Sequence, residues 1–153
     1  MRISAKADYA VRAAIELSAA GPERPTKGEA IARAQDIPLK FLENILADLR
    51  HAGLVTSRRG AEGGYRLARP PEEITVADII RAVEGPLASV RGGRPEDVEY
   101  AGTAEPLQRV WIAVRASLRS VVERVTLADL ADGRLSKDIE SLAKDPEAWV
   151  TRR

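Results

Sequence analysis

Four neighbouring side chains, Lys40, Phe41, Glu43 and Asn44, carry the chemistry needed to read the edge of a base pair. Lysine can meet guanine or phosphate, asparagine can pair with adenine through two hydrogen bonds, and glutamate can accept from the cytosine amino group. Phe41 can pack on a thymine methyl or a sugar. Arg50 and His51 follow a turn or two later, where Arg50 suits phosphate and His51 suits the negative end of a helix dipole. A second group lies in "SRRGAEGGYRLAR" (57–69), which sets Arg58 and Arg59 beside Gly60, Gly63 and Gly64. Guanidinium groups suit phosphate or a narrow minor groove, and glycines permit positive φ and close approach. Catalysis is poorly served by comparison. The chain has no cysteine and one histidine, which excludes disulfides, thiolate metal sites, a cysteine nucleophile and a multi-histidine site. It shows no P-loop and no dinucleotide fingerprint. The expectation is a protein that is not an enzyme and carries no cofactor.

These side chains need elements to position them. Ser4 can cap a helix running to about Ala20, with Ala7, Val11, Ala14, Ile15 and Ser18 on one stripe. Thr26 and Glu29 form a capping-box pattern for a short helix from Lys27 to about Gln35. After the turn "DIP" (36–38), a helix runs to about Ala52. Its Leu42, Ile45, Leu46 and Leu49 repeat at core spacing, which turns the Lys40–Asn44 group outward. Gly53 suits a left-handed stop. Strand segments 54–58 and 64–68, joined by "RGAEG", read as a hairpin in which Tyr65 and Leu67 face the core. Thr75 and Asp78 can cap a further helix, Ile74 can staple against Ile79, and "EGP" (84–86) ends it. A helix, a helix–turn–helix, a hairpin and a helix make a winged helix-turn-helix over residues 1–85. The fold class is mainly α with a small β-hairpin, extended by a long C-terminal helix.

Residues 86–104 read as a loop, long enough to be either a signal-input segment for a small-molecule or protein effector or a flexible linker. The segment 105–133 holds the long helix, about Leu107 to Val125, and a short helix capped by Thr126 and Asp129. Leu107, Val110, Trp111, Val114, Leu118, Val121, Val122 and Val125 form a heptad-like seam, which suits a homodimer or, alternatively, an intramolecular core. The tail, 134–153, has a weak amphipathic turn (Leu135, Ile139, Leu142) and then Trp149. Charge is unevenly shared. Residues 1–70 hold 12 Lys/Arg against 8 Asp/Glu, a net +4, whereas 71–153 hold 12 against 15, a net −3. The basic half is the one with the base-reading group, which suits double-stranded DNA. No signal peptide or membrane span is read at the N-terminus, so a cytoplasmic location is expected.

The runs "MRISAKADYAVRA", "IPLKFLENILADLRHAGLVTSRRGAEGGYRLAR" and "ITVADIIRAVEGP" resemble the Rrf2 family of bacterial transcription regulators, closely over 1–86 and more loosely beyond. The resemblance implies a homodimer on a partly palindromic operator. It implies that helix 107–125 dimerises, that Lys40, Phe41, Glu43 and Asn44 read DNA, and that Arg59 sits in the wing. Iron–sulfur members carry three cysteines in the tract matching 86–104, and this chain has none. The implied protein is a regulator, a repressor in the leading reading, without a cluster. Asp8 stands where some members complete the cluster with an acid; without thiolates it is expected at the surface or in a salt bridge. Two bland readings stand beside these. Arg58 and Arg59 could serve only to keep an exposed hairpin soluble. The whole winged helix could be a protein-interaction module.

Overall fold

The computed structural model describes residues 1–153. Seven helices are present: α1 (Ala5–Ala20), α2 (Gly28–Gln35), α3 (Leu39–His51), α4 (Val76–Glu84), α5 (Leu107–Val122), α6 (Leu127–Asp132) and α7 (Lys137–Lys144). Between α3 and α4, β1 (Val55–Arg58) and β2 (Gly64–Leu67) pair antiparallel, with Val55 opposite Leu67 and Arg58 opposite Gly64. No helix is long and apolar enough to cross a membrane.

Local chemistry sets most boundaries. The Ser4 hydroxyl accepts from the Ala7 N–H at 3.0 Å to start α1, and it also donates to Glu84 at the far end of α4. Reciprocal capping boxes start α4 (Thr75 and Asp78) and α6 (Thr126 and Asp129), with bonds of 3.0–3.1 Å. Asp36 takes the left-handed conformation, at φ 51°, to close α2. Gly53 does the same after α3 at φ 75°.

The core forms where α1 is enclosed by α2, α3, α4, α6 and the hairpin. Its buried residues are Ala7, Ala10, Ala13, Ala14 and Leu17. The stripe expected from spacing is therefore rotated, because Val11, Ile15 and Ser18 are only half-buried. The reason is crowding. A helix flanked on several sides presents its smallest side chains where neighbours come closest, and the branched ones fill the margins. On α3, by contrast, Leu42, Ile45, Leu46 and Leu49 are all fully buried, as their spacing predicts. Leu46→Ala is expected to cost about 2–5 kcal/mol, through reduced transfer energy and the cavity left behind. A urea titration reads this as a lower midpoint at unchanged slope.

The Thr26–Glu29 capping box does not form. Lys27 is the N-cap of α2 and makes no side-chain capping bond. Thr26 is instead drawn into the sheet: its N–H and C=O exchange two 2.7 Å bonds with Tyr65. Two strong backbone bonds outweigh one hydroxyl cap. A similar bridge closes the C-terminal side. Val76 N–H donates to the Val125 carbonyl and Leu127 N–H to that of Ile74, each at 2.9 Å, around the facing pair Thr75 and Thr126. The chain leaving α5 is thus sewn to the chain entering α4, and Leu127 is fully buried in the N-terminal core.

Residues 86–104 are not an open loop. Leu87, Pro95 and Val98 are buried. Short 3-10 turns form at Pro95–Asp97 and Gly102–Ala104, the first of them against α5. The tail makes α7, capped by Ser136, with Leu142 and Trp149 largely exposed.

Candidate nucleic-acid interface

With the core stripe of α3 facing inward, Lys40, Glu43, Asn44, Arg50 and His51 are all exposed on its outer side. Phe41 is placed differently. Its ring meets Tyr9 of α1 edge-on, with centroids 5.6 Å apart at 84°, while the Arg12 guanidinium lies 4.8 Å over the other ring. Phe41 therefore buttresses the entry of α3 and keeps only about 38% of its surface exposed. Asp48, the other acid on this helix, is neutralised by Lys6 at 2.8 Å. Asp8 pairs with Arg12 at 3.0 Å, in the salt-bridge role expected of it.

The hairpin is held as a wing from two sides. Tyr65 lies between Ser57 and Thr26, so the start of α2 acts as a short third strand. Arg50 Nη1 donates to Ser57 Oγ at 3.3 Å, linking the end of α3 to β1. Lys27 Nζ donates to the Gly60 carbonyl at 3.4 Å, linking α2 to the wing tip. The three glycines divide by what a side chain would meet at each. A Cβ on Gly63 would stand 2.1 Å from the Arg58 carbonyl oxygen, and one on Gly64 would stand 2.6 Å from the Thr26 carbonyl. Both are required by the protein's own backbone, and Gly63 is buried. Gly60, at φ 103°, faces open space and is the glycine available at the tip.

Electrostatics separates this face from the rest of the molecule. Lys27, Arg33, Lys40, Arg50, Arg58, Arg59 and Arg66 have no carboxylate partner within 4.0 Å. On the C-terminal half, Arg81, Arg94, Arg109, Arg115, Arg119 and Arg124 each have one, whereas Arg91, Arg134, Lys137, Lys144 and Arg153 have none. On α2, α3 and the wing every cation is unpaired, and neutralising phosphate there would release bound counterions. Lys27 and Arg33 carry no local pattern in the sequence that marks them for this face. Only the fold brings α2 beside the wing tip.

Five of the eight seam residues lie together on α5, of which no residue is fully buried. Val110, Val114, Leu118, Val121 and Val122 line an apolar groove of about 590 Å³ with Met1 and Ile3. Ala113 and Ser117 belong to the same face and were missed, although their spacing of four was visible. Trp111 turns toward the tract, its Nε1 donating to Tyr100 Oη at 3.1 Å. Val125 does not belong to the seam. The helix ends at Val122, and Val125 is buried inside its own subunit, where its carbonyl joins the bridge to α4. Beside α5, Arg94 and Asp97 pair at 2.7 Å, a bond that holds the guanidinium proton more firmly than usual. The Glu96 carboxyl is held below its usual range, first by its own backbone and then by Arg115.

The sequence profile of the Rrf2 family, "Iron-dependent Transcriptional regulator", matches residues 3–133. The chain belongs to the Rrf2 family. An HTH-type transcriptional regulator of Mycobacterium tuberculosis, Rv1287, is 50% identical over 153 residues, covering 100% of this chain and 95% of that protein. The structure of CymR, "the Global Cysteine Regulator of B. subtilis", superposes with a TM-score of 0.73 at 38% identity, covering 88% of this chain and 99% of that one. T. potens IscR superposes with a TM-score of 0.69 at 33% identity, over 100% and 94%. Rrf2 proteins are transcriptional regulators and not enzymes, and the winged helix-turn-helix found here is the fold they share. The iron in the family's description does not fit this member. It has no cysteine, and its single histidine is exposed on α3. No three acidic or histidine side chains come together, and the cavity beside the tract is lined by guanidinium groups that repel a metal cation.

Proposed function

We propose that the protein is a homodimeric, sequence-specific DNA-binding repressor that holds a partly palindromic operator without an iron–sulfur cluster. One observation carries the reading: every cation of α2, α3 and the wing, Lys27, Arg33, Lys40, Arg50, Arg58, Arg59 and Arg66, is left without an acid. Lys40 and Asn44 contact base edges from the exposed N-terminal half of α3. Arg58 and Arg59 meet the backbone or the minor groove beside it. A second copy covers α5. An isologous contact places the same apolar stripe on both sides, and no residue of this 16-residue helix is fully buried within a single chain. The tract 86–104 takes the signal, because it is packed against α5 and follows directly from α4.

Selection of bound sequences from a random duplex pool tests this. Two inverted half-sites are expected, about one helical turn or a multiple apart. Lys40→Ala with Asn44→Ala relaxes the preference within each half-site, by about 1–3 kcal/mol for each base no longer read. Arg59→Ala weakens all sequences alike and lowers the salt slope by about one. In a run-off assay, occupied operator lowers transcript yield. A protein that prefers no duplex over random DNA at moderate salt overturns the reading.

A further inference from the structure

We infer that the cavity between the end of α4, the tract that follows it and α5 is a binding site for a small organic polyanion, one carrying two or more carboxylate or phosphate groups. The inference deepens the regulatory reading by naming the class of effector, and its effector part rests on that reading. The cavity holds about 310 Å³, near the lower bound for small-molecule sites. Arg81 reaches it from α4, Arg94 from the tract, and Arg115 and Arg119 from α5. Ser89 and Glu96 add a hydroxyl and one acid. Four arginines from three separate elements thus line one concavity.

Their orientation is fixed by ion pairs. Glu123 holds Arg81 and lies 3.7 Å from Arg119, and Asp97 holds Arg94 at 2.7 Å. Glu96 holds Arg115 and lies 3.8 Å from Arg94. Of these three acids only Glu96 lines the cavity. Counting all three, four cations face three anions, so one positive charge is left over. Each guanidinium has five N–H donors, and an ion pair uses one or two. Donors therefore remain free, which suits forked contacts to carboxylate or phosphate. Arg115 is nearly sunk in the wall, with 16% of its side chain exposed. The tract that contributes Ser89 is strained as well. Ala88 and Arg91 hold left-handed φ of 55° and 51° without being glycine, on either side of Ser89. Such conformations persist where the surroundings over-determine them, and they recur at ligand clamps. A polyanion spanning Arg81 and Arg119 fastens α4 to α5.

Calorimetric titration of the full chain with citrate, and separately with pyrophosphate, each against sodium chloride at matched ionic strength, tests the site. Saturable binding of one equivalent per subunit is expected for at least one probe, and the stronger of the two identifies carboxylate or phosphate as the preferred group. Arg94→Gln with Arg119→Gln weakens it about tenfold or more. These side chains are 65% and 47% exposed, so circular dichroism should stay unchanged. Arg109→Gln, on α5 but outside the cavity, leaves binding intact. The site is overturned if neither probe binds, if the double variant binds like the parent, or if Arg109→Gln weakens binding as much. Operator affinity measured with and without the bound anion then tests the effector role, which fails if the two agree. Loss of operator binding with anion binding intact overturns the DNA reading and leaves the site standing.

Discussion

Replacing Val114 and Leu118 together by glutamate yields a folded monomer in sedimentation velocity and lowers operator affinity by about a hundredfold or more. Both side chains line the apolar groove of α5 and are half-buried within their own subunit, so a single chain tolerates the change. A dimer does not. At a twofold contact each substituted residue faces the same stripe on its partner, so four carboxylates enter one apolar seam without cations. The loss in DNA binding follows from geometry. One recognition helix touches one half-site, and joining two converts the second contact into an intramolecular one. A dimer that survives both substitutions places the interface elsewhere.

The second large effect is expected in the wing. Gly63→Ala puts a methyl 2.1 Å from the Arg58 carbonyl oxygen, and Gly64→Ala puts one 2.6 Å from the Thr26 carbonyl at a φ of 147°. Backbone cannot yield as a flexible side chain does, so the hairpin opens and its tie to α2 breaks. The helical core, to which the hairpin contributes Leu54 and Val55 with Tyr65 and Leu67 packed at its margin, stays folded. Hydrogen exchange therefore shows the Tyr65 amide losing protection while the amides of α3 keep theirs. Operator affinity falls by about tenfold or more, comparable to removing Arg58 and Arg59 together. Gly60→Ala meets no atom within 4 Å and carries only the left-handed penalty of about 1–2 kcal/mol.

What was legible in the sequence was local. Thr75 with Asp78 and Thr126 with Asp129 cap their helices as their spacing of three predicts, because nothing distant competes for those hydroxyls. Leu42, Ile45, Leu46 and Leu49 bury as a stripe because α3 packs on one side only. Thr26 carried the same capping pattern and did something else, since Tyr65, 39 residues later, offered it two backbone bonds. The face of α1 was misjudged for a related reason: an enclosed helix has no single apolar side for periodicity to reveal. Val125 continued the valine rhythm of α5, but the return bridge to α4 claims it. The candidate site divides similarly. Lys40 and Asn44 could be placed outward from their own helix. The support of Phe41 by Tyr9, and of Gly60 by Lys27, depends on contacts between elements.

The bridge formed by Val76, Val125, Leu127 and Ile74 has a consequence for the operator itself. Because the far end of α5 is laced to the entry of α4, the two recognition helices of the proposed dimer would be held like the jaws of a caliper, with one end of the joint between jaw and spine already fastened. One base pair added between the half-sites turns the second by about a tenth of a revolution and moves it about 3.4 Å. A jointed protein absorbs that step; this one must twist the DNA or release it. Spacing should therefore be read as strictly as sequence.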